Sequence, residues 1–244
     1  LLVEPIKADM QLSDTQIGWL LGPAFALFYT TMGIPLGWLA DRGRRTWIVA
    51  AGTTVWSLAT TASGLASNFT QLFVARIMIG VGEATVSPCA LSIIADSFPV
   101  EKRAKPVAFY SAAVSIGAGI AALAGASVIV WSKSVDEISL PLIGSLAPWQ
   151  LAFIVVGLPG LLVAVIMALT REPVRQEIAG VAGGNGIRDA FAYVRKHWRA
   201  YSFVAIPSLM TIVAYSQFWL PAVFERSWGW PPEKYGFYSG IAFI

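Results

Sequence analysis

Two charged residues, Arg76 and Glu83, lie in a segment, residues 70–95, that is otherwise apolar and long enough to cross a bilayer. A spacing of seven residues places both side chains on nearly the same face of a helix, about 10 Å apart along its axis. Ionisable groups at membrane depth are costly, so they usually face a bundle interior or a watery cavity on an ion or substrate pathway. The pair therefore predicts a membrane protein with a charged translocation path.

Three interpretations of this pair stay open. In the first, Arg76 and Glu83 are a structural pair, joined by water or a third group because about 10 Å is too far for a direct hydrogen bond. In the second, Glu83 carries a proton, because burial favours its neutral form and the charge of Arg76 favours its ionised form. In the third, Arg76 anchors an anionic substrate, because a guanidinium binds phosphate or carboxylate through two parallel hydrogen bonds.

Other polar and aromatic side chains in the apolar segments are weaker candidates. Their neighbours are apolar, so they either line a cavity or serve as packing and interfacial anchors, as aromatic residues often do in spanning helices. The candidates for cavity lining are Tyr29, Tyr110, Tyr215, Gln217 and Trp219.

The composition indicates a membrane protein. Of the 244 residues, 56% are hydrophobic and 13% are charged, whereas charged residues make up about 25% of a soluble domain. A net charge of +3 is too small to predict a nucleic-acid partner. One cysteine and one histidine exclude a disulfide framework and a cysteine-rich metal site. No phosphate-binding loop and no nucleophile beside His197 are found, so we expect neither a cofactor, a metal nor an enzyme.

The apolar segments predict an all-α polytopic membrane protein. Six of them reach or approach the roughly 20 apolar residues that span the hydrocarbon, and a seventh begins near Tyr235. Short polar links separate them, and glycine and proline recur within them, which bilayer helices tolerate. The six predicted spans are residues 17–40, 47–66, 70–95, 106–131, 151–169 and 201–224.

Basic residues predict the orientation. Most lysines and arginines fall in three links, near residues 42–45, 102–105 and 171–199, and the positive-inside rule makes that side cytoplasmic. Residues 1–16 would then begin outside, so we expect at least one helix before Leu1 and more after Ile244. A protein of two like halves would be roughly twice this length.

Three regions follow from this orientation. Residues 1–171 form a helical bundle that lacks its first helix, and residues 201–244 begin a second bundle. Residues 172–200 form a cytoplasmic linker. Within the linker, residues 187–198 (IRDAFAYVRKHW) repeat apolar residues at helical spacing with basic residues opposite, which is typical of an amphipathic helix on the inner membrane surface. A regulatory partner site in the linker is the alternative.

Several motifs resemble those of one transporter family. Residues 37–45 (GWLADRGRR) resemble the signature loop of the major facilitator superfamily, although Arg44 stands where the family often has glycine. Residues 76–84 (RIMIGVGEA) resemble its fourth-helix motif, and residues 149–160 (WQLAFIVVGLPG) resemble its sixth helix. Residues 96–99 (DSFP) with Arg103 resemble its next cytoplasmic loop. The chain is most similar to the Spinster-like branch.

The resemblance implies two groups of site residues. One is a cytoplasmic gate, in which a small residue lets helices approach and charged residues hold the two halves together until the site switches sides. The alternative is that the basic members only set topology and bind lipid headgroups. The other group is Arg76 and Glu83, which in Spinster-like proteins are associated with proton coupling together with an acidic residue on helix one. The gate residues would be Gly37, Asp41, Arg42, Arg45, Asp96 and Arg103.

These observations predict secondary active transport by alternating access, as symport or antiport coupled to protons. The resemblance implies two six-helix halves and an organic anion or amphiphile, such as a lysolipid, as substrate. We expect a monomer in the plasma (inner) membrane, in contact with membrane lipids and without nucleic acid. A membrane channel or receptor built on the same bundle is the alternative.

Overall fold

The computed structural model describes residues 2–132, 138–140, 144–176, 187–203 and 218–243. Most of these residues are helical, which confirms the predicted all-α class. The first bundle contains α1 (Val3–Asp9), α2 (Asp14–Leu21), α3 (Pro23–Arg42), α4 (Arg45–Ser63), α5 (Phe69–Glu83), α6 (Val86–Ser97), α7 (Ala104–Ser132) and α8 (Pro148–Leu169). After the bundle come α9 (Ile187–Lys196), α10 (Leu220–Trp228) and α11 (Pro232–Phe243).

A small β-hairpin is the exception to the all-α prediction. Strand β1 (Ile138–Leu140) pairs antiparallel with β2 (Gly144–Leu146) in the link between α7 and α8. The backbone of a link outside helices needs hydrogen-bond partners, and a short ladder supplies them. The sequence analysis placed only a link here, because three-residue strands carry no readable period.

Four stretches of helix in the described part of the chain are long and apolar enough to cross a membrane: Asp14–Arg42, Phe69–Ser97, Val100–Trp131 and Pro148–Leu169. Two of the predicted spans within them are interrupted. The predicted span 17–40 breaks at Gly22, where Pro23 starts α3, because proline has no amide hydrogen to continue the preceding helix. The predicted span 70–95 breaks at Ala84 and Thr85, between α5 and α6.

Helix α4 corresponds to the predicted span 47–66 but is less apolar than the other spans. It lies between α5 and α8 at the centre of the bundle. Its hydroxyls donate hydrogen bonds to carbonyls one turn earlier, as Thr61 does to Ser57 and Ser63 does to Ala59, so they are satisfied within the helix. Small polar residues thus fill the centre of the bundle, and the exception among them is the buried Oγ of Ser57, which has no hydrogen-bond partner among the described residues.

Glycines let these helices touch at the backbone. A Cβ at Gly52 of α4 would lie 2.1 Å from Oγ1 of Thr85 and 2.6 Å from the carbonyl oxygen of Gly82. A Cβ at Gly157 of α8 would lie 2.4 Å from Oγ1 of Thr61. Such contacts are the membrane form of small-residue packing, and they hold α5 and α8 close against α4.

Helix α1 closes one end of the bundle. This end is called the outer end, and the opposite one the cytoplasmic end, after the orientation that the basic residues predict. Its Val3 and Ile6 are buried in an apolar cluster with Leu12, Ile17, Leu20, Ala66, Leu72, Trp149 and Ala222. Trp149 is 1% exposed, and its Nε1 donates a hydrogen bond of 2.9 Å to Oδ2 of Asp9. The residues of α1 therefore pack on the ends of the other helices of the bundle and do not form a loose segment.

Candidate transport site

Arg76 lies on the wall of a cavity beneath this outer cluster. The cavity measures about 350 Å³, and Thr60 of α4 is another polar residue in its wall. The remaining wall is apolar and comes from α1, α2, α5, α7 and α8 and from the residues just before α1 and α10. Its residues are Leu2, Val3, Ile6, Ile17, Leu20, Leu21, Leu72, Ala121, Ala122, Gly125, Ala152, Phe153, Val156 and Phe218. The guanidinium of Arg76 is thus the cationic group of a largely apolar chamber.

The contacts of Arg76 leave its hydrogen-bonding capacity unused. Its guanidinium carbon lies 5.7 Å from the centre of the Phe153 ring, within the range of a cation–π interaction. Among the hydrogen bonds and ion pairs of the described residues, none involves its five N–H donors. An arginine in an apolar wall with free donors has the chemistry to bind an anion.

Glu83 is the last residue of α5, two turns after Arg76 on the same helix face. It is exposed on the described bundle and forms no direct ion pair with Arg76. The two charges are still close enough to attract each other. The lack of a direct ion pair between these two described residues argues against a purely structural pair.

A chain of hydroxyls lies one turn beyond Glu83. Ser87 of α6 contacts Tyr29 of α3 at 3.5 Å and Tyr110 of α7 at 3.1 Å, oxygen to oxygen. Phe25 stacks on Tyr29 with ring centres 5.3 Å apart. Three hydroxyls joined by two hydrogen bonds retain one unused donor. Tyr29 and Tyr110 were both predicted as cavity lining, whereas Ser87, which joins them, was not singled out.

The remaining predicted cavity residues lie elsewhere. Trp219 packs beside the outer apolar cluster, and its ring would be 3.9 Å from a Cβ at Gly18. Tyr215 and Gln217 lie outside the described residues.

A second charged cluster, at the cytoplasmic end, surrounds Arg45. This side chain is 0% exposed, and its guanidinium donates to Asp96 of α6, to Oε1 of Glu172 at 2.6 Å and to Oγ of Ser92 at 2.7 Å. It also donates to the carbonyl oxygen of Pro173 at 3.2 Å. Arg45 thus joins α4, α6 and the chain after α8 within the described bundle.

Glu172 is held in its ionised form by this cluster. Burial of its carboxyl opposes ionisation, but hydrogen bonds from the Thr46 amide and hydroxyl and from Arg45 outweigh burial and lower the pKa of Glu172 below its ordinary value. The sequence analysis assigned residues 172–176 to the linker and missed this residue. A carboxylate directly after an apolar span was the available signal.

Arg175 binds the loop that carries the signature motif. Its guanidinium donates to the carbonyl oxygens of Ala40, Asp41 and Gly43, with 2.7 Å to Ala40. Three carbonyls on one guanidinium fix the turn between α3 and α4. Arg175 was also missed by the sequence analysis, since its partners are more than 130 residues away.

The other predicted gate residues lie on the cytoplasmic rim. The side chains of Asp41 and Arg42 are exposed, and Arg42 stacks 4.2 Å from the Trp38 ring. Arg103 donates to the carbonyl oxygens of Phe98 and Ala95, so it caps the end of α6. The close helix approach predicted at Gly37 is not found, because no described atom lies within 4 Å of a Cβ placed there.

Comparison with known proteins gives the family. The family model described as Major Facilitator Superfamily matches residues 1–244. The chain belongs to the major facilitator superfamily. The chain is similar to the probable L-galactonate transporter of Escherichia coli (strain K12), with 28% identity over 253 residues, covering 98% of this chain and 52% of that relative. Protein spinster of Drosophila melanogaster is 28% identical over 175 residues, 72% of this chain and 26% of that protein.

A solved structure supports the branch. The crystal structure of a bacterial homolog to the human lysosomal transporter Spinster, in an inward-facing and unoccupied conformation, has a TM-score of 0.80 and 31% identity. The match covers 99% of this chain and 54% of that one. The predicted major facilitator fold and Spinster-like branch are therefore confirmed. This major facilitator chain spans about half of the length of the E. coli relative and of the solved structure.

Proposed function

We propose that this chain is part of a secondary active transporter for organic anions, which bind at Arg76 and move by alternating access coupled to protons at Glu83. The observation that carries the proposal is the guanidinium of Arg76, which faces a cavity with its donors unused among the described residues. An unpaired arginine in an apolar wall is costly, and an anionic ligand would compensate that cost.

The wall of the cavity favours an anion with an apolar part. Apart from Arg76 and Thr60, the lining consists of apolar side chains, which cannot satisfy the hydroxyls of a polyol. A carboxylate or phosphate at Arg76 with a hydrocarbon group in the apolar chamber would satisfy both surfaces. This supports an amphiphile such as a lysolipid as the substrate class.

A sugar acid is the second candidate substrate. The E. coli relative that matches 98% of this chain is named for L-galactonate. The carboxylate of a sugar acid would bind the guanidinium of Arg76, as that of an amphiphile would.

The outer end of the cavity is closed by the apolar cluster, and the similar solved structure is inward-facing. We therefore assign this chain to an inward-facing state. Glu83 is exposed on the same helix face as Arg76, where its protonation would change the field at the anion site. This placement supports proton coupling through Glu83.

Equilibrium binding to the purified full-length protein tests the anion site. The probes are a lysophosphatidate, its uncharged monoacylglycerol counterpart and L-galactonate. We expect lysophosphatidate to bind, monoacylglycerol to bind weakly, and Arg76→Gln to weaken lysophosphatidate binding about 10- to 100-fold, because charged hydrogen bonds are lost. Arg44→Gln, a change at an exposed arginine beside Trp47, is the control and should leave binding unchanged.

Equal binding of the charged and uncharged lipids, or unchanged binding in Arg76→Gln, would refute the anion site. Binding of L-galactonate alone, lost in Arg76→Gln, would replace the amphiphile with the sugar acid and keep the site.

A further inference from the structure

A cluster of ion pairs lies on the outer face, above the cavity. Arg226 of α10 contacts Glu4 of α1 at 2.6 Å and Asp14 of α2 at 2.8 Å, nitrogen to oxygen. Lys7 of α1 contacts the same Asp14 oxygen at 2.7 Å. The four charges balance, and they join two helices at the start of the chain to a helix more than 200 residues later.

The apolar cluster lies directly beneath these ion pairs. Ala222, one turn before Arg226 on α10, is 3% exposed and packs with Val3 and Ile6 of α1. The two members from α1 also line the cavity that contains Arg76. Helix α1 therefore covers the outer end of the cavity as a roof. Arg226 of α10 holds α1 in this position through its ion pair with Glu4.

We propose that Arg226, with Glu4 and Asp14, is an outer latch that closes the Arg76 cavity to the outside. The inference rests on the proposed function, since only an alternating-access protein needs a roof that opens. In the outward-facing state α10 would separate from α1 and α2, and the two ion pairs of Arg226 would be lost.

The strength of the ion pairs suits this role. Arg226 is 41% exposed and Asp14 is 53% exposed, so water and salt screen their attraction. Exposed ion pairs contribute little individually. A latch of two such pairs biases the closed state and can still be broken in every transport cycle.

The test measures access to the cavity from outside without any substrate. Thr60, half-buried in the cavity wall, is changed to cysteine in the full-length protein in intact cells, and a membrane-impermeant maleimide is added. The protein without the Thr60→Cys change gives the background labelling, because its described cysteine, Cys89, is 0% exposed. We expect slow labelling of Thr60→Cys, and labelling about five- to tenfold faster when Arg226→Gln is added, from the loss of two ion pairs.

Three further variants make the result specific. Arg226→Lys keeps the charge and should keep most of the protection, and Glu4→Gln should give an intermediate rate because it removes one ion pair. Lys234→Gln removes a nearby cation that stacks on Trp230 at 4.2 Å and should leave the rate unchanged. Labelling of Cys89 reports any general loss of folding.

An unchanged labelling rate in Arg226→Gln and Glu4→Gln would overturn the latch. An equal increase in Lys234→Gln would also overturn it, because the effect would then not depend on these ion pairs. Because no substrate is present, loss of the latch is distinguishable from failure of the proposed anion site.

Discussion

At the scale of single residues, two arginines in this chain show opposite solutions to burial. Arg45 is 0% exposed and donates to two carboxylates, a hydroxyl and a carbonyl. Arg76 lies in an apolar wall without a hydrogen bond among the described residues. An arginine whose N–H donors have partners within the protein stabilises the fold, whereas an arginine with free N–H donors can bind a ligand. This difference in hydrogen bonding is the reason for proposing Arg76, and not Arg45, as the substrate-binding arginine.

The low pKa of Glu172 makes a prediction about acid stability. A carboxyl with a lowered native pKa stabilises the fold above its ordinary pKa, and this contribution is lost as the pH falls through the native value. Glu172→Gln should therefore lower the thermal midpoint in detergent at pH 7 and flatten its decline below about pH 4.5, the ordinary carboxyl range. Thermal unfolding of the purified protein across pH measures both effects.

Glu101→Gln is the matched control, since Glu101 is exposed in the turn before α7. Equal acid sensitivity of Glu172→Gln and the native protein would show that Glu172 does not hold the cytoplasmic cluster together.

Sequence could predict some of these residues and not others. Arg76 and Glu83 were predicted because two charged residues within one apolar segment can be recognised from a short stretch of sequence. Arg45 was predicted as a gate residue, but its partner Glu172 is 127 residues away and its environment is set by tertiary folding. Only the structure shows that Arg45 braces one bundle, so that any gating effect would act through the loop carrying Asp41 and Arg42.

At the scale of elements, close backbone contacts at glycines position the helices more than interlocking side chains do. Gly52 and Gly82 face each other between α4 and α5, where either Cβ would lie 2.6 Å from the carbonyl oxygen of the other residue. Because α5 carries Arg76 and Glu83, this contact sets the position of the candidate site relative to α4. The glycines were visible in the sequence, but which of them touch a neighbour was not.

Substitution at this contact should show its importance. Gly82→Ala should destabilise the protein by about 1–3 kcal/mol, as overpacking does, because the backbones of α4 and α5 would have to separate. Gly33→Ala on α3 should be neutral or stabilising by up to about 1 kcal/mol, since a Cβ there meets nothing within 4 Å and alanine favours the helix. Thermal unfolding in detergent compares them, and equal destabilisation by both changes would argue against the close contact.

The boundaries of the helices could be predicted from the sequence only in part. The apolar stretches predicted the spans, because length and hydrophobicity alone determine whether a helix can cross a bilayer. The breaks at Gly22 and at Ala84–Thr85 were not predicted, because glycine and threonine are also tolerated inside bilayer helices. Helix α1 was missed because seven residues are too few to establish a period.

At the scale of the whole molecule, charged residues of the described bundle form three levels along the helices, from the outer to the cytoplasmic end. The outer level is the exposed cluster of Arg226, and the inner level is the buried cluster of Arg45. Between them lie Arg76, with its cavity, and Glu83. Of these levels, the exposed outer cluster is the one that joins the beginning of the chain to α10, which is consistent with a molecule closed outside.

Transport by proteoliposomes under an imposed proton gradient tests the central claim most directly. With lysophosphatidate as the probe, the native full-length protein should accumulate it when the gradient is applied and should also exchange it without a gradient, since a carrier shows counterflow and a channel does not. Glu83→Gln should lose gradient-driven accumulation and retain exchange. Full gradient-driven accumulation in Glu83→Gln, or the absence of exchange in the native protein, would contradict a proton-coupled carrier.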